Sequence, residues 1–204
     1  MPSLTSTFIT AACLLAGVTN AVPTTPAVVA PRADSRCPAS GKIVHHPPSA
    51  LYNVYPGAPN LSKESLGFHV ETWGNASQVE QLLVFNDIPA IAKDCTVSWR
   101  QGNRLERVFI VKGGDALTEV RELSGFPDSP VTYSTAKTFD TADEAIGAAD
   151  FTNWDDLEPQ GHIIGAVDCK STIYFKAALR NPGGNSKVFL EQNSQNGIHI
   201  EYSC

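Results

Sequence analysis

At 204 residues, 42% hydrophobic and 18% charged, the chain is long enough for one ordinary globular domain with a sizeable core plus processing segments. A net charge of −6 without any cluster of Lys and Arg excludes a nucleic-acid partner, which needs cations to displace counterions from phosphates. Anionic membrane surfaces are disfavoured for the same reason.

Residues 1–21 read as a signal peptide. The apolar stretch Phe8 to Val18 has signal-peptide length, and Thr19-Asn20-Ala21 offers small residues where signal peptidase needs them. A permanent anchor needs about twenty apolar residues, and this run is shorter. Residues 22–36 are rich in Pro, Ala and Thr without amphipathic periodicity, and read as a linker or pro-segment. Residues 37–204 then form a single domain. Tyr202-Ser203-Cys204 carries no hydrophobic tail, so no lipid-anchor signal is expected.

With Cys13 removed alongside the leader, Cys37, Cys95, Cys169 and Cys204 remain, an even number suited to an oxidising compartment. Their wide spacing does not fit compact zinc patterns, so two disulfides are expected. Of three possible connectivities we favour Cys37–Cys204, stapling the termini, and Cys95–Cys169, joining two strands. On the chain-entropy model each long loop closed is worth about 4–5 kcal/mol. Asn60-Leu-Ser62 and Asn75-Ala-Ser77 are N-glycosylation sequons beside turn-forming residues.

Residues 37–59 are broken by prolines, with an edge strand expected at Ala50–Tyr55. Leu66–Trp73 alternates, with Leu66, Phe68 and Val70 on one face. Leu82-Leu83-Val84-Phe85 is an unbroken apolar run, the signature of a strand buried on both faces, and Cys95–Gln101 alternates beyond the Pro89 loop. Leu105–Val111 reads as a strand closed by the Gly113-Gly114 turn, and Thr118–Glu122 as a short one. Thr141-Ala-Asp-Glu144 has capping-box spacing ahead of Ala145–Ala149, which predicts a short helical turn. His162–Asp168 reads as a central strand. Ser171–Leu179 places Ile173, Phe175, Ala177 and Leu179 on one face, and Asn181–Asn185 reads as a hairpin turn to Lys187–Glu191. Gly197–Tyr202 turns Ile198, Ile200 and Tyr202 inward. Short strands divided by Gly and Pro turns, with at most one short helix, predict an all-β antiparallel sandwich of jelly-roll or Greek-key type.

Phe85-Asn-Asp-Ile-Pro89, Cys95-Thr-Val-Ser-Trp99, the late Cys169 and the terminal Gly197-Ile-His-Ile-Glu-Tyr together resemble the C-terminal domain of a fungal family, over roughly Pro48 to Cys204. The family takes its name from a fission-yeast protein reported to bind the catalytic subunit of the ubiquitin-like Nedd8-activating enzyme. The resemblance implies a fold and a fungal lineage with many secreted members, and brings no catalytic residue. Its Nedd8 connection conflicts with export, because paired cysteines belong outside the reducing cytosol.

No serine-hydrolase elbow, His-Glu-x-x-His or Gly-x-Gly-x-x-Gly occurs, and no cofactor or metal site is expected. Asn181–Lys187 lacks the spacing of a phosphate cradle. Asp155, Asp156 and Glu158 beside Trp154 form an acidic group, but neighbours in sequence seldom face each other across a sugar, and a solvated loop or cap is the plainer reading. His45 and His46 point to opposite sides of an extended segment, whereas His199 and Glu201 share a face and are expected to face water. Aromatic side chains at strand ends stack on pyranose rings in sugar-binding sandwiches, and Tyr52, Tyr55, Trp73, Tyr133 and Trp154 are placed to do so, with Trp99 assigned to the core. The reading is a secreted, non-enzymatic binding protein whose partner is a cell-wall polysaccharide or a host protein. Its rivals are a polysaccharide hydrolase, which needs two carboxylates from separate elements in a cleft, and a modifier-pathway interaction protein.

Overall fold

The computed structural model describes residues 36–38 and 41–204, so the expected signal peptide and nearly all of the expected linker lie outside the described residues. The chain forms β1 Val44–His46, β2 Ala50–Val54, β3 Ser62–Glu64, β4 Gly67–Trp73, β5 Ala76–Phe85, β6 Lys93–Gln101, β7 Phe109–Lys112 and β8 Leu117–Glu122. A helical turn, α1 Tyr133–Ala136, follows, and then β9 Gly147–Asp150, β10 Gln160–Ala166, β11 Ile173–Leu179, β12 Lys187–Glu191 and β13 Gly197–Ser203. The strands make two antiparallel sheets, one ordered β1-β13-β6-β10 and a larger, curled one ordered β7-β12-β4-β5-β11-β8-β9, with β2 paired to β5 and β3 to β2. The architecture is an all-β sandwich.

Its core follows from the apolar patterns. From the large sheet, Phe68, Val70, Leu83, Phe85, Phe175 and Leu190 meet Val97, Trp99, Ile198 and Ile200 of the small one in one continuous cluster. Burying each such side chain is worth about 1.5–3 kcal/mol. The run Leu82–Phe85 is apolar throughout because β5 is covered on both sides. Leu83 and Phe85 face the main core, while Leu82 joins Val54, Leu123 and Ala136 in a second cluster beneath α1. The chain passes from the large sheet to the small one through Asn86–Ala92, where Ile88 is buried. Cys95, opening β6, is bonded to Cys169 in the segment leading to β11, and Cys37 to Cys204, the pairing favoured from the sequence.

Several local expectations are corrected. β2 lies between β3 and β5 and is not an edge. Leu66 is 90% exposed, because β4 begins one residue later. Residues 104–106 form a 3-10 turn, and the strand expected from Leu105 starts at Phe109. β10 is the outer strand of its sheet, with Ile163 turned to solvent, so it is not central. Thr141 caps no helix: Gly147 opens β9, where a Cβ would collide with the Ile164 carbonyl oxygen of β10. The capping box is at Thr132 and Thr135, at the start of α1. Asn181–Asn185 is not a hairpin connection, since β12 pairs with β4 and β7 while β11 pairs with β5 and β8.

Candidate functional site

The most differentiated surface lies where β4 separates from β5. Gly74 and Asn75, both left-handed at φ 60° and 61°, close the β4–β5 hairpin in the two-residue turn that suits strand twist. Pairing is interrupted by a bulge between Glu71 and Thr72. Beyond it the fully buried side chain of Gln81 takes over the role of a backbone amide. Its Nε2–H donates to the Gly67 carbonyl at 2.9 Å and to Asn53 Oδ1 at 2.8 Å, and its Oε1 accepts the His69 N–H at 3.3 Å. The departing strand thereby keeps its polar groups satisfied.

Alternation along β4 buries Phe68, Val70 and Thr72 and turns His69, Glu71 and Trp73 toward solvent. β12 pairs Lys187 with Glu71 and Phe189 with His69, and β7 sets Ile110 opposite Phe189. Gly67 leaves room for an aromatic ring, since a Cβ there would stand 3.0 Å from Phe189 Cζ. The result is a strip across three strands carrying a half-exposed indole, an aromatic ring, an aliphatic side chain and an ion pair.

A directed chain of hydrogen bonds fixes this strip. Asn53 Nδ2–H donates to His69 Nδ1 at 3.3 Å, His69 Nε2–H donates to Glu71 Oε2 at 3.0 Å, and Lys187 Nζ stands 3.3 Å from the same oxygen. The other carboxylate oxygen, Oε1, accepts the indole N–H of Trp73. Burial lowers the pKa of His69, and its bond to Glu71 only partly opposes this, so the ring is neutral at pH 7. For Glu71, burial alone would raise the pKa, but the donors Trp73, His69 and Lys187 outweigh it and hold the carboxylate ionised. Both nitrogens of His69 are occupied and every donor around Glu71 is directed at it. The arrangement orients side chains and offers no imidazole nitrogen to a proton in transit.

The aromatics expected to bind sugar are not brought together. Trp73 is 43% exposed. Tyr52 is half-buried against Phe126, with ring centres 6.0 Å apart, in the cluster under α1. Trp154 packs at 5.7 Å from Trp99 and 4.1 Å from His162, at the margin of the core. Tyr55 lines a shallow depression with Leu61 and Gln78, and Tyr133 lies in α1. Asn60 and Asn75 are exposed in turns. Phe189, Lys187, His69 and Glu71 were not singled out from the sequence. Val188-Phe189-Leu190 reads as continuous core, and only the pairing of β12 with β4 reveals that Phe189 lies on the other face.

The acidic group is structural. Asp155 Oδ2 accepts the Val111 N–H at 2.9 Å on the free side of β7, and Asp156 pairs with Arg104. Arg107 donates to the carbonyls of Asp155 and Leu157 at 3.0 and 2.6 Å, fastening the loop along that sheet edge. Such a cover blunts an edge that would otherwise pair with another chain. His45 and His46 do point apart: His45 meets Glu201 at 3.1 Å, and His46 Nε2–H donates to the Asn86 backbone carbonyl at 2.7 Å. His199 departs from expectation, being 1% exposed beneath the 192–196 loop while sharing its strand with half-buried Glu201. Ser98 Oγ donates to Glu201 at 2.7 Å, so the carboxylate stands between the Ser98 hydroxyl and the His45 imidazole, whereas a nucleophilic triad needs the imidazole in the middle. Among the described residues no group of three or more His, Cys, Asp or Glu side chains is placed to hold a metal.

The two disulfides favour an extracellular or secreted protein. No helix among the described residues is long and apolar enough to cross a membrane. No family model matches the chain, and no curated protein matches it.

Proposed function

We propose that this is a secreted, non-enzymatic binding protein of fungal lineage that holds a cell-wall polysaccharide on the β4–β12 strip. The observation that carries this reading is Trp73, a half-exposed indole fixed through Glu71. A ring already oriented loses little entropy when a sugar stacks on it. Phe189 and Ile110 extend the apolar surface along the same face, and Lys187 retains N–H donors for hydroxyl groups. Binding is favoured over hydrolysis because the carboxylates on and near this face serve as acceptors for protein donors. Asn75 lies two positions from Trp73, so a glycan on this sequon would compete for the turn.

The test is depletion of Asn75→Gln protein from solution by insoluble chitin and insoluble β-glucan, compared with Trp73→Ala in the same background. Retention on one polymer that disappears with Trp73→Ala supports the reading, and equal retention of both proteins refutes it. A protein partner is the second reading, favoured by Leu66 and Leu105, which are 90% and 92% exposed. Passage of the Asn75→Gln protein through both polymers would select it.

A further inference from the structure

Lys176 of β11 is held between two carboxylates. Its ammonium contacts Asp140 Oδ2 and stands 3.5 Å from Glu80 Oε2, and the Lys176, Asp140 and Glu80 side chains are only 17%, 14% and 10% exposed. Glu80 lies on the neighbouring strand β5, two positions before Leu82, which pairs with Lys176, so the register sets the two side chains diagonally on one face. Asp140 follows the 3-10 turn that continues α1. Val54, Leu82 and Ala136, buried in the apolar cluster beneath α1, line the same space as Asp140 and Lys176. Lys137 also lines it, but this residue is exposed and its ammonium is left to water.

Two features set the group apart from an ordinary buried ion pair. Glu80 Oε2 is buried without a hydrogen-bond partner, so a basic oxygen stands beside the ammonium with no other group to satisfy it. The Asp140 carboxylate is in addition polarised by Arg121, whose Nε–H donates to Oδ1 at 3.0 Å while Oδ2 is turned to the lysine. Arg121 is fixed by a second bond to the Ala142 carbonyl and stands opposite Lys176 in the pairing of β8 with β11. Burial works against the charged form of Lys176, but Glu80 and Asp140 outweigh it and raise the pKa, so the resting state is the ion pair.

From an amine and a carboxyl group in contact, with an unbonded carboxylate at the same amine, we infer that Lys176 and Asp140 condense to an intramolecular amide with Glu80 as proton carrier. Glu80 takes a proton from the ammonium, and the freed Nζ lone pair attacks Asp140 Cγ. The Nζ–Cγ bond forms and the Cγ–Oδ2 bond breaks. Oδ2 departs as water with the two protons that the ammonium gives up, both passed through Glu80, which ends as it began. No oxidant or other co-reactant is consumed. Arg121 holds Oδ1, the oxygen on which negative charge develops and which becomes the amide carbonyl. Fixed contact takes the place of an activating agent, and the product exchanges a largely desolvated ion pair for a neutral amide. The bond ties β11 covalently to the segment that follows α1.

The test is mass spectrometry of the protein purified from the medium of expressing cells, deglycosylated and with both disulfides reduced. The wild type is expected to weigh one water less than its sequence requires, and its proteolytic digest to contain a branched peptide joining Lys176 to Asp140. Glu80→Gln, which removes the proton carrier and keeps its shape, should weigh its full sequence mass, with circular dichroism checking that it is folded. Lys137→Ala should show the same loss of water as the wild type. Wild-type protein at full sequence mass overturns the inference, and this reading stands even where a variant fails to fold. A branch at Lys137 in place of Lys176 overturns it too, as does a folded Glu80→Gln protein that has lost the water.

Discussion

Glu71 accepts the indole N–H of Trp73 two positions further along the same strand, so the orientation of this half-exposed ring is set by a carboxylate that is itself held by His69 and Lys187. Removing that carboxylate tests whether orientation matters. Glu71→Ala should cost about 1–2 kcal/mol in denaturant unfolding, because His69 and Lys187 lose their acceptor. Polymer retention should fall several-fold while Trp73 remains. Trp73→Ala should abolish retention with a stability change within about 0.5 kcal/mol, as expected for a half-exposed residue outside the core.

Acid should destabilise the fold through two histidines, one buried and one half-buried. Burial lowers the pKa of both His69 and His199 from 6.5, so the unfolded chain binds protons more readily than the native one below that value. Their contribution is complete above about pH 6.5 and is lost as the pH falls toward their native values. Glu71, also lowered, adds a loss of the same sign further down. Urea midpoints measured between pH 7.5 and 4.5 should fall with acidification, and His69→Gln should flatten the upper part of that slope.

The loop carrying Asp155 is a cover for β7, and its removal should affect association more than stability. Asp155→Ala frees the Val111 N–H on the sheet edge. Water can solvate that group, so the unfolding cost should stay near 1 kcal/mol. Light scattering should nevertheless show concentration-dependent self-association, the expected outcome of an uncovered edge strand.

Asp140 ties the segment under α1 to β8 and β11 by pairing with Arg121 and Lys176. Asp140→Ala leaves two partly buried cations with less compensation and should cost about 3 kcal/mol. Hydrogen exchange should show the loss concentrated in residues 123–140, with β6 and β13 protected as before.

Elements with one dominant pattern were legible from residues alone. β11 alternates because one face meets the core, and β5 runs apolar because both faces are covered. The disulfide pairing also matched the favoured alternative. Legibility failed where long-range pairing decides the outcome. Pro182-Gly183-Gly184 has turn chemistry, but whether the next strand returns to β11 or crosses to β4 is not encoded in the turn itself. Gly147 weakens a helix in any local reading, whereas its actual constraint is the close approach of β10. Among the sugar-binding candidates, Trp154 and Tyr52 carry the same local signal as Trp73. Only tertiary packing buries the first two against Trp99 and Phe126. The strip itself was hidden because β4 and β12 are far apart in sequence.

The most direct test of the central claim is a tryptophan fluorescence titration with soluble chitin and β-glucan oligosaccharides. The account predicts a saturable change in Asn75→Gln protein with one of the two series, absent when Trp73→Ala is added and retained when Trp154→Phe is added. The same saturable change with Trp73→Ala added, or no change in the Asn75→Gln protein with either series, would contradict it.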